Sequence, residues 1–194
     1  MIKDVVLKNR SYRGFDESYK FTRKEMLDIV DTMRLCASSA NIQPLKYYIS
    51  YEHDEVEQIL QFTHFGGALP ELHLPRTGSH PTAFIIICQD LSISQNLNQF
   101  QKDVGIVAQT ALLQVAEKGL GGLMIGNFQA EDIRKLLGFS ENIKPQLVLA
   151  LGKPNEEIII TDIPESGSTK YYRDENDKHY VPKRKLEDIL LSRN

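Results

Sequence analysis

The stretch Asp103-Val104-Gly105-Ile106-Val107-Ala108-Gln109-Thr110-Ala111-Leu112-Leu113-Gln114-Val115-Ala116-Glu117-Lys118-Gly119-Leu120-Gly121-Gly122-Leu123-Met124-Ile125-Gly126-Asn127-Phe128 changes its periodicity once. Up to Lys118, the residues Val104, Val107, Ala108, Ala111, Leu112, Val115 and Ala116 recur at helical spacing and cover a broad face. So wide an apolar face predicts a central or interface helix. Gly119 is the natural stop, and Gly122 to Gly126 then reads as a strand. A helix that returns at once into a strand is the nucleus of a layered fold.

Outward from there, helices and strands stay mixed. Glu131 to Leu137 reads as a short helix ended by Gly138, and Gln146 to Gly152 as a strand. Upstream, Thr82 to Gln89 is almost wholly apolar and β-branched, which predicts a buried strand. Thr22 to Ser38 predicts a helix with Met26, Ile29, Val30, Met33 and Ala37 at its spacing, opened by a capping box of Thr22 and Glu25. Lys46 to Tyr51 reads as a strand. Asp54 with Glu57 predicts a second box, before a short helix carrying Val56, Ile59 and Leu60. Between them and the buried strand lies His64 to Pro81, with three Gly, three Pro and three His and little periodicity. A loop of that length is uncommon in a compact domain and often functional. After Pro154 the chain turns polar; Glu165 to Lys178 reads as an exposed excursion and Arg184 to Leu191 as a short amphipathic helix. The pattern is that of an α/β or α+β layered domain.

The 194 residues suggest one domain. With 41% hydrophobic and 25% charged residues the composition is ordinary for a globular chain. A net charge of −3 argues against a strongly basic nucleic-acid surface. Apolar runs such as Ala83 to Cys88 fall far short of the ~20 residues that span a membrane. Met1-Ile2-Lys3-Asp4 lacks the apolar core of a signal peptide. Cys36 and Cys88 make no disulfide framework, so a reduced, cytoplasmic protein is expected.

Three short stretches carry polar chemistry. Arg10-Ser11-Tyr12-Arg13 places two guanidinium forks and a hydroxyl within four residues, donors suited to phosphate oxygens; a solvated turn would explain the same residues. Ser38-Ser39-Ala40-Asn41-Ile42-Gln43-Pro44 is packed with small donors and acceptors between a helix and a strand; it fits either a plain turn or a cluster that binds a polar ligand. Gly119 to Phe128 breaks the dinucleotide pattern G-x-G-x-x-G, because Met124 stands at its last glycine. Glycine in or beside a strand can instead mark close backbone approach to a ligand. His64, His73 and His80 match no compact metal-ligand spacing, so no metal site is expected.

Taken together and in order, these stretches resemble the nitroreductase family of FMN-dependent oxidoreductases. Arg10, Ser11 and Arg13 match the family's basic-Arg-Ser-x-Arg start, with Asn9 where another Arg or His is frequent. Ser38 to Pro44 match Pro-Ser-Ser-x-Asn-x-Gln-Pro, with Ala37 in place of the leading Pro and Leu45 in place of a frequent Trp. Asp103, Gly105, Gly119 to Gly121 and Ile125 to Phe128 match the third motif, and Ala150 to Pro154 also fits.

The resemblance implies an α+β fold, a mainly antiparallel central sheet flanked by helices, in an intertwined homodimer with FMN at the interface. The segment from about 155 to 194 would extend over the partner subunit. Arg10 and Ser11 would hold the FMN phosphate and ribityl chain, and Arg13 would support the flavin's N1 and O2 edge. Ser38, Ser39 and Asn41 would contact the cofactor from the other subunit, and Gln43 and Pro44 would shape the ring pocket. Ile125, Gly126 and Asn127 would face the ring at N5 and O4. One or more of Lys183, Arg184 and Lys185 would close the phosphate site. His64 and Phe65 are candidates for the acceptor pocket. NADH or NADPH would donate hydride, and a nitroaromatic or a quinone would accept it, with no protein nucleophile or metal, because the flavin carries the chemistry. A same-fold flavoenzyme with another substrate and a flavin-binding module without turnover remain alternatives.

Overall fold

A computed structural model of the chain describes residues 1–67 and 69–191. At its centre are two strands, β3 (Ala83–Asp90) and β5 (Ile143–Pro154), paired antiparallel so that Ile85 faces Leu149 and Ile86 faces Val148. Every residue of β3 is buried. Successive side chains of a strand point to opposite faces, so the run feeds two cores at once. Ala83, Ile85 and Ile87 enter one core with Leu149 and Leu151; Phe84, Ile86 and Cys88 enter the other with Val148 and Ala150.

Helices supply the outer layers. The first core is closed by α2 (Arg23–Arg34), through Met26, Ile29 and Met33, and by α4 (Gln101–Glu117), through Val104, Val107, Ala108, Ala111, Leu112 and Val115. The second is closed by α3 (His53–Leu60), through Val56 and Ile59, and by α5 (Ala130–Leu136), through Ile133. The capping box of α2 forms as read: the Glu25 N–H donates to Thr22 Oγ1, and the Thr22 N–H donates back to the Glu25 carboxylate. The second box does not. α3 starts at His53 behind Glu52, which makes no side-chain cap. Glu57 turns away and meets His80 Nδ1 at 2.9 Å, so a partner distant in sequence wins over the local cap.

Along the sheet the order is β1 (Phe15–Asp16), β5, β3 and β2 (Leu45–Ser50), with β4 (Gly121–Ile125) also on β5. All these pairings are antiparallel. Gly119 ends α4 in the left-handed region (φ +76), where only glycine is unstrained. Gly121 and Gly122 serve packing instead. A Cβ on Gly121 would lie 2.4 Å from the Tyr12 ring, and one on Gly122 would lie 2.3 Å from the Ala150 carbonyl.

Beyond β5 the structure departs from the expected polar excursion. β6 (Ile158–Asp162) pairs in parallel with β8 (His179–Lys183), and β7 (Tyr172–Arg173) pairs antiparallel with β8, which makes a second sheet of three strands. The expected Arg184 to Leu191 helix is one exposed turn, α6 (Leu186–Ile189). At the other end, α1 (Ile2–Lys8) packs on α4. Among the described residues no helix is long and apolar enough to cross a membrane.

Candidate functional site

Residues 9–14 run from α1 to β1 along the edge of β4. The Tyr12 N–H donates to the Gly122 carbonyl at 3.2 Å, and Ser11 forms a bridge with Gly122. Gly121 leaves room for the Tyr12 ring and Gly122 bonds the Tyr12 N–H, so the glycine-rich stretch positions the Arg10 to Arg13 arm. The arm is fixed from the other side by Glu156, whose carboxylate accepts from the N–H groups of Arg13 and Gly14. Glu156 also pairs with Arg173, and both side chains are more than nine-tenths buried.

The arm forms one wall of a cavity of about 340 Å³. Arg10, Ser11 and Arg13 line it with Gln109 and Leu112 of α4, Met124 of β4, and His179, Val181 and Lys183 of β8. Among the described residues three permanent cations line the cavity and no carboxylate does. Arg10 gives Nη2 to the Val6 carbonyl at 2.6 Å, and Arg13 gives Nη1 to the Ser11 carbonyl at 2.9 Å. The Nε of each is buried without a partner among the described residues. Buried guanidinium donors left free beside a cavity are what an anionic ligand would satisfy. The Tyr171 ring lies 4.9 Å from the Arg13 guanidinium, a cation–π contact.

The field of the cavity shows in its titratable groups. Burial, and then the charges of Arg13 and Arg173, push the His179 imidazole down to about 4, with Asp177 opposing. Burial also lowers Arg10, with Tyr12 opposing, and arginine keeps its charge in proteins regardless.

Ser38 to Pro44 lies elsewhere. Its polar centre is Asp103, 2% exposed, at the start of α4. Asp103 accepts from the Ser38 hydroxyl at 2.6 Å, the Ser39 hydroxyl at 2.6 Å and the Ser39 N–H at 2.9 Å. Burial alone would raise this carboxyl, but the hydrogen bonds outweigh it and hold it below its ordinary value. The Ser38 oxygen also accepts from the Gln43 N–H at 3.0 Å, and the Gln43 amide bonds the Asn41 side chain at 3.0 Å. Within this loop Ala40 (φ 51), Asn41 (φ 55) and Gln43 (φ 53) are left-handed. Such backbone costs of order 1–3 kcal/mol per residue and clusters at functional sites. Asn41 and Gln43 are exposed and Pro44 is buried. Ser38 and Gln43 line a separate cavity of about 130 Å³, which shares no residue with the first.

Four expected residues thus meet in one cavity: Arg10, Ser11, Arg13 and Lys183. Arg184 is exposed outside it. Ile125 is in the second core, and Gly126 and Asn127 follow it on the exposed turn after β4. A Cβ on Gly126 would meet open space, and its φ is not in the left-handed region, so nothing in the chain itself requires glycine there. His64 is exposed, with its N–H on the Asn127 carbonyl at 3.0 Å, whereas Phe65 is packed into the second core. Absent from the expected set are His179, Tyr171, Glu156 and Asp103. Only their pairing with residues far along the chain places them at these sites.

The fold and cavity define an α+β domain with a cationic cavity at the edge of its sheet. The chain belongs to the nitroreductase family, whose model matches residues 6–153. A protein of Archaeoglobus fulgidus with the provisional name NADH dehydrogenase/NAD(P)H nitroreductase is 23% identical over 158 residues, 79% of this chain and 85% of that one. A provisionally named NAD(P)H:FMN oxidoreductase from Staphylococcus epidermidis superposes with a TM-score of 0.72 at 19% identity, over 99% of this chain and 95% of that one. A provisionally named nitroreductase from Exiguobacterium sibiricum, solved in complex with FMN, gives 0.65 at 17% identity, over 80% and 89%. The family match stops before β6, so the β8 wall of the cavity lies beyond it.

Proposed function

We propose that this chain is an FMN-dependent oxidoreductase that takes hydride from NADH or NADPH and delivers it to a small acceptor, a nitroaromatic or a quinone. The observation that carries the reading is the first cavity, with three cations, no acid and two buried guanidinium Nε donors left free. The residues fit FMN: Arg10, Ser11 and Lys183 would hold the phosphate and the start of the polyol chain, and Arg13 would lie at the ring. When bound, FMN supplies the hydride chemistry.

The chain's own part is binding, orientation and charge. Arg10 and Lys183 offset a phosphate dianion. Arg13, held by Glu156 through its backbone and by Tyr171 over its guanidinium, presents a fixed positive charge that favours an electron-rich ligand. Gly126 adds no side chain to the turn after β4, leaving that edge open. The decisive measurement is the visible spectrum of the purified protein, followed by anaerobic addition of NADH or NADPH. The expected result is a flavin spectrum that bleaches with the donor. Bound flavin that does not bleach would leave a binding protein; failure to take up FMN at all would overturn the reading.

We propose further that the chain is a single domain working as a homodimer. Of its second FMN-facing group, Ser38 and Gln43 line a different cavity from Arg10 and Arg13, so in this reading a second copy brings the two groups together. Ile2, Leu7 and Ile106 on α1 and α4 are 69%, 52% and 43% exposed, an apolar face that a partner would cover. The apolar end of the C-terminal segment, Leu186 to Leu191, would reach across. Sedimentation equilibrium should give a mass about twice the 22.1 kDa of the chain; a monomer at micromolar concentration would refute the shared site.

A further inference from the structure

β8 turns alternate residues to the cavity: His179, Val181 and Lys183 line it. Tyr180 stacks on Tyr172, and Pro182 faces a separate groove. Four residue steps along the strand, about 13 Å, separate His179 from Lys183. Lys183 is exposed at one end of this row, and His179, only 1% exposed, lies at the other beside Arg13.

The His179 backbone N–H is used by the Glu157 carbonyl at 2.9 Å, and the Tyr171 ring packs 5.2 Å from the imidazole. The charged groups that face the imidazole are Arg13 from the N-terminal arm, Arg173 from β7 and Asp177 from the turn before β8. None of them bonds to it. Nδ1 is buried without a partner among the described residues, and a buried polar atom of that kind calls for one.

We propose that His179 is a ligand-contacting residue of the cavity, and that its imidazole meets an uncharged hydroxyl of the flavin nucleotide's polyol chain. The proposal rests on the FMN reading of the cavity. Arg10 and Lys183 are the groups suited to the phosphate, whereas His179 lies about 13 Å along the strand from Lys183. Its imidazole is neutral at ordinary pH, because burial and the two flanking guanidinium groups disfavour its charged form. A neutral imidazole has one donor and one acceptor nitrogen, and a hydroxyl can answer either. A phosphate dianion could answer only the donor.

The test is a fluorescence titration of the chain with FMN, riboflavin and lumiflavin, which lacks the polyol chain. His179→Phe keeps a ring against Tyr171. It should weaken FMN and riboflavin alike, about three- to tenfold for one lost hydrogen bond, and leave lumiflavin unchanged. His179→Asn returns a polar atom near the Nδ1 position and should recover most of the affinity, which a packing role would not give. A loss confined to FMN would place the imidazole at the phosphate and overturn the proposal. Equal losses for all three flavins, or none, would overturn it too. Should His179→Phe not fold, the ring-nitrogen resonances of histidine-labelled wild-type protein decide. One should move on adding riboflavin and stay still with lumiflavin or inorganic phosphate; if none does, the proposal is wrong. A wild-type chain that binds neither FMN nor riboflavin overturns the functional reading itself, and shows this before any variant is made.

Discussion

Arg10→Ala should strip FMN from the protein while leaving riboflavin binding nearly intact, and Arg13→Ala should weaken both. The asymmetry follows from what each side chain has left to give. Arg10 spends Nη2 on the Val6 carbonyl and keeps a buried, unpartnered Nε beside the cavity. A guanidinium meeting a phosphate makes a charge-assisted, often bidentate contact, and hydrogen bonds to charged groups contribute roughly 1.5–3 kcal/mol each. Losing two of them is about 3–6 kcal/mol, or roughly 10² to 10⁴ in affinity at 1.4 kcal/mol per tenfold. Riboflavin has no phosphate, so the loss at Arg10 does not reach it. Arg13 lies under Tyr171 and beside His179, toward the ring in our reading, so FMN and riboflavin should suffer together. Arg10→Lys should fall between, since lysine keeps the charge without the fork. Calorimetric titration of wild type and each variant with both flavins gives the affinities to compare. Full FMN occupancy in dialysed Arg10→Ala protein would show that the cavity is not the phosphate site.

What could be read in the sequence is what local chemistry decides. Thr22 and Glu25 make their reciprocal bonds because both partners sit within one turn. The β3 run is buried on both faces because eight consecutive residues leave few polar side chains to expose. Arg10, Ser11 and Arg13 are visible because one short stretch of extended chain carries all three. The failures are non-local. Asp54 and Glu57 have the spacing of a cap, yet Glu57 goes to His80. The C-terminal sheet is invisible to periodicity, because β7 is two residues long and β6 pairs in parallel with β8 across a long loop. The same holds for the site. Glu156 acts on Arg13 and Gly14 from more than 140 residues away, and an acid after a proline-ended strand carries no local mark of that role. Of the three basic residues 183–185, alternation along β8 selects Lys183 for the cavity, and alternation matters only once the strand is known.

Asp103→Asn should be the most damaging single change outside the cavity, and its effect on flavin binding separates two roles for Ser38 and Ser39. The carboxylate accepts two hydroxyl protons and one N–H; an amide oxygen cannot take all three, and its NH₂ group brings donors where acceptors are needed. The expected cost is about 2–4 kcal/mol, which for a domain of this size lowers Tm by roughly 5–15 °C. The acid limb should change as well. The folded carboxyl sits below its ordinary value, so its stabilisation is complete above the unfolded value of about 3.9 and is lost as pH falls from there through the lower folded value. Asp103→Asn should therefore flatten the loss of stability in that window, measured by denaturant titration from pH 6 to 3. The flavin readout discriminates further. With both hydroxyl protons committed to Asp103, Ser38 and Ser39 have none to give a ligand, and their work is to hold Ala40, Asn41 and Gln43 in left-handed backbone. Releasing them should let that backbone relax and, in the proposed dimer, weaken FMN binding. Unchanged or tighter FMN binding in the folded variant would mean that the freed hydroxyls reach the ligand directly, and that Asp103 restrains them from doing so.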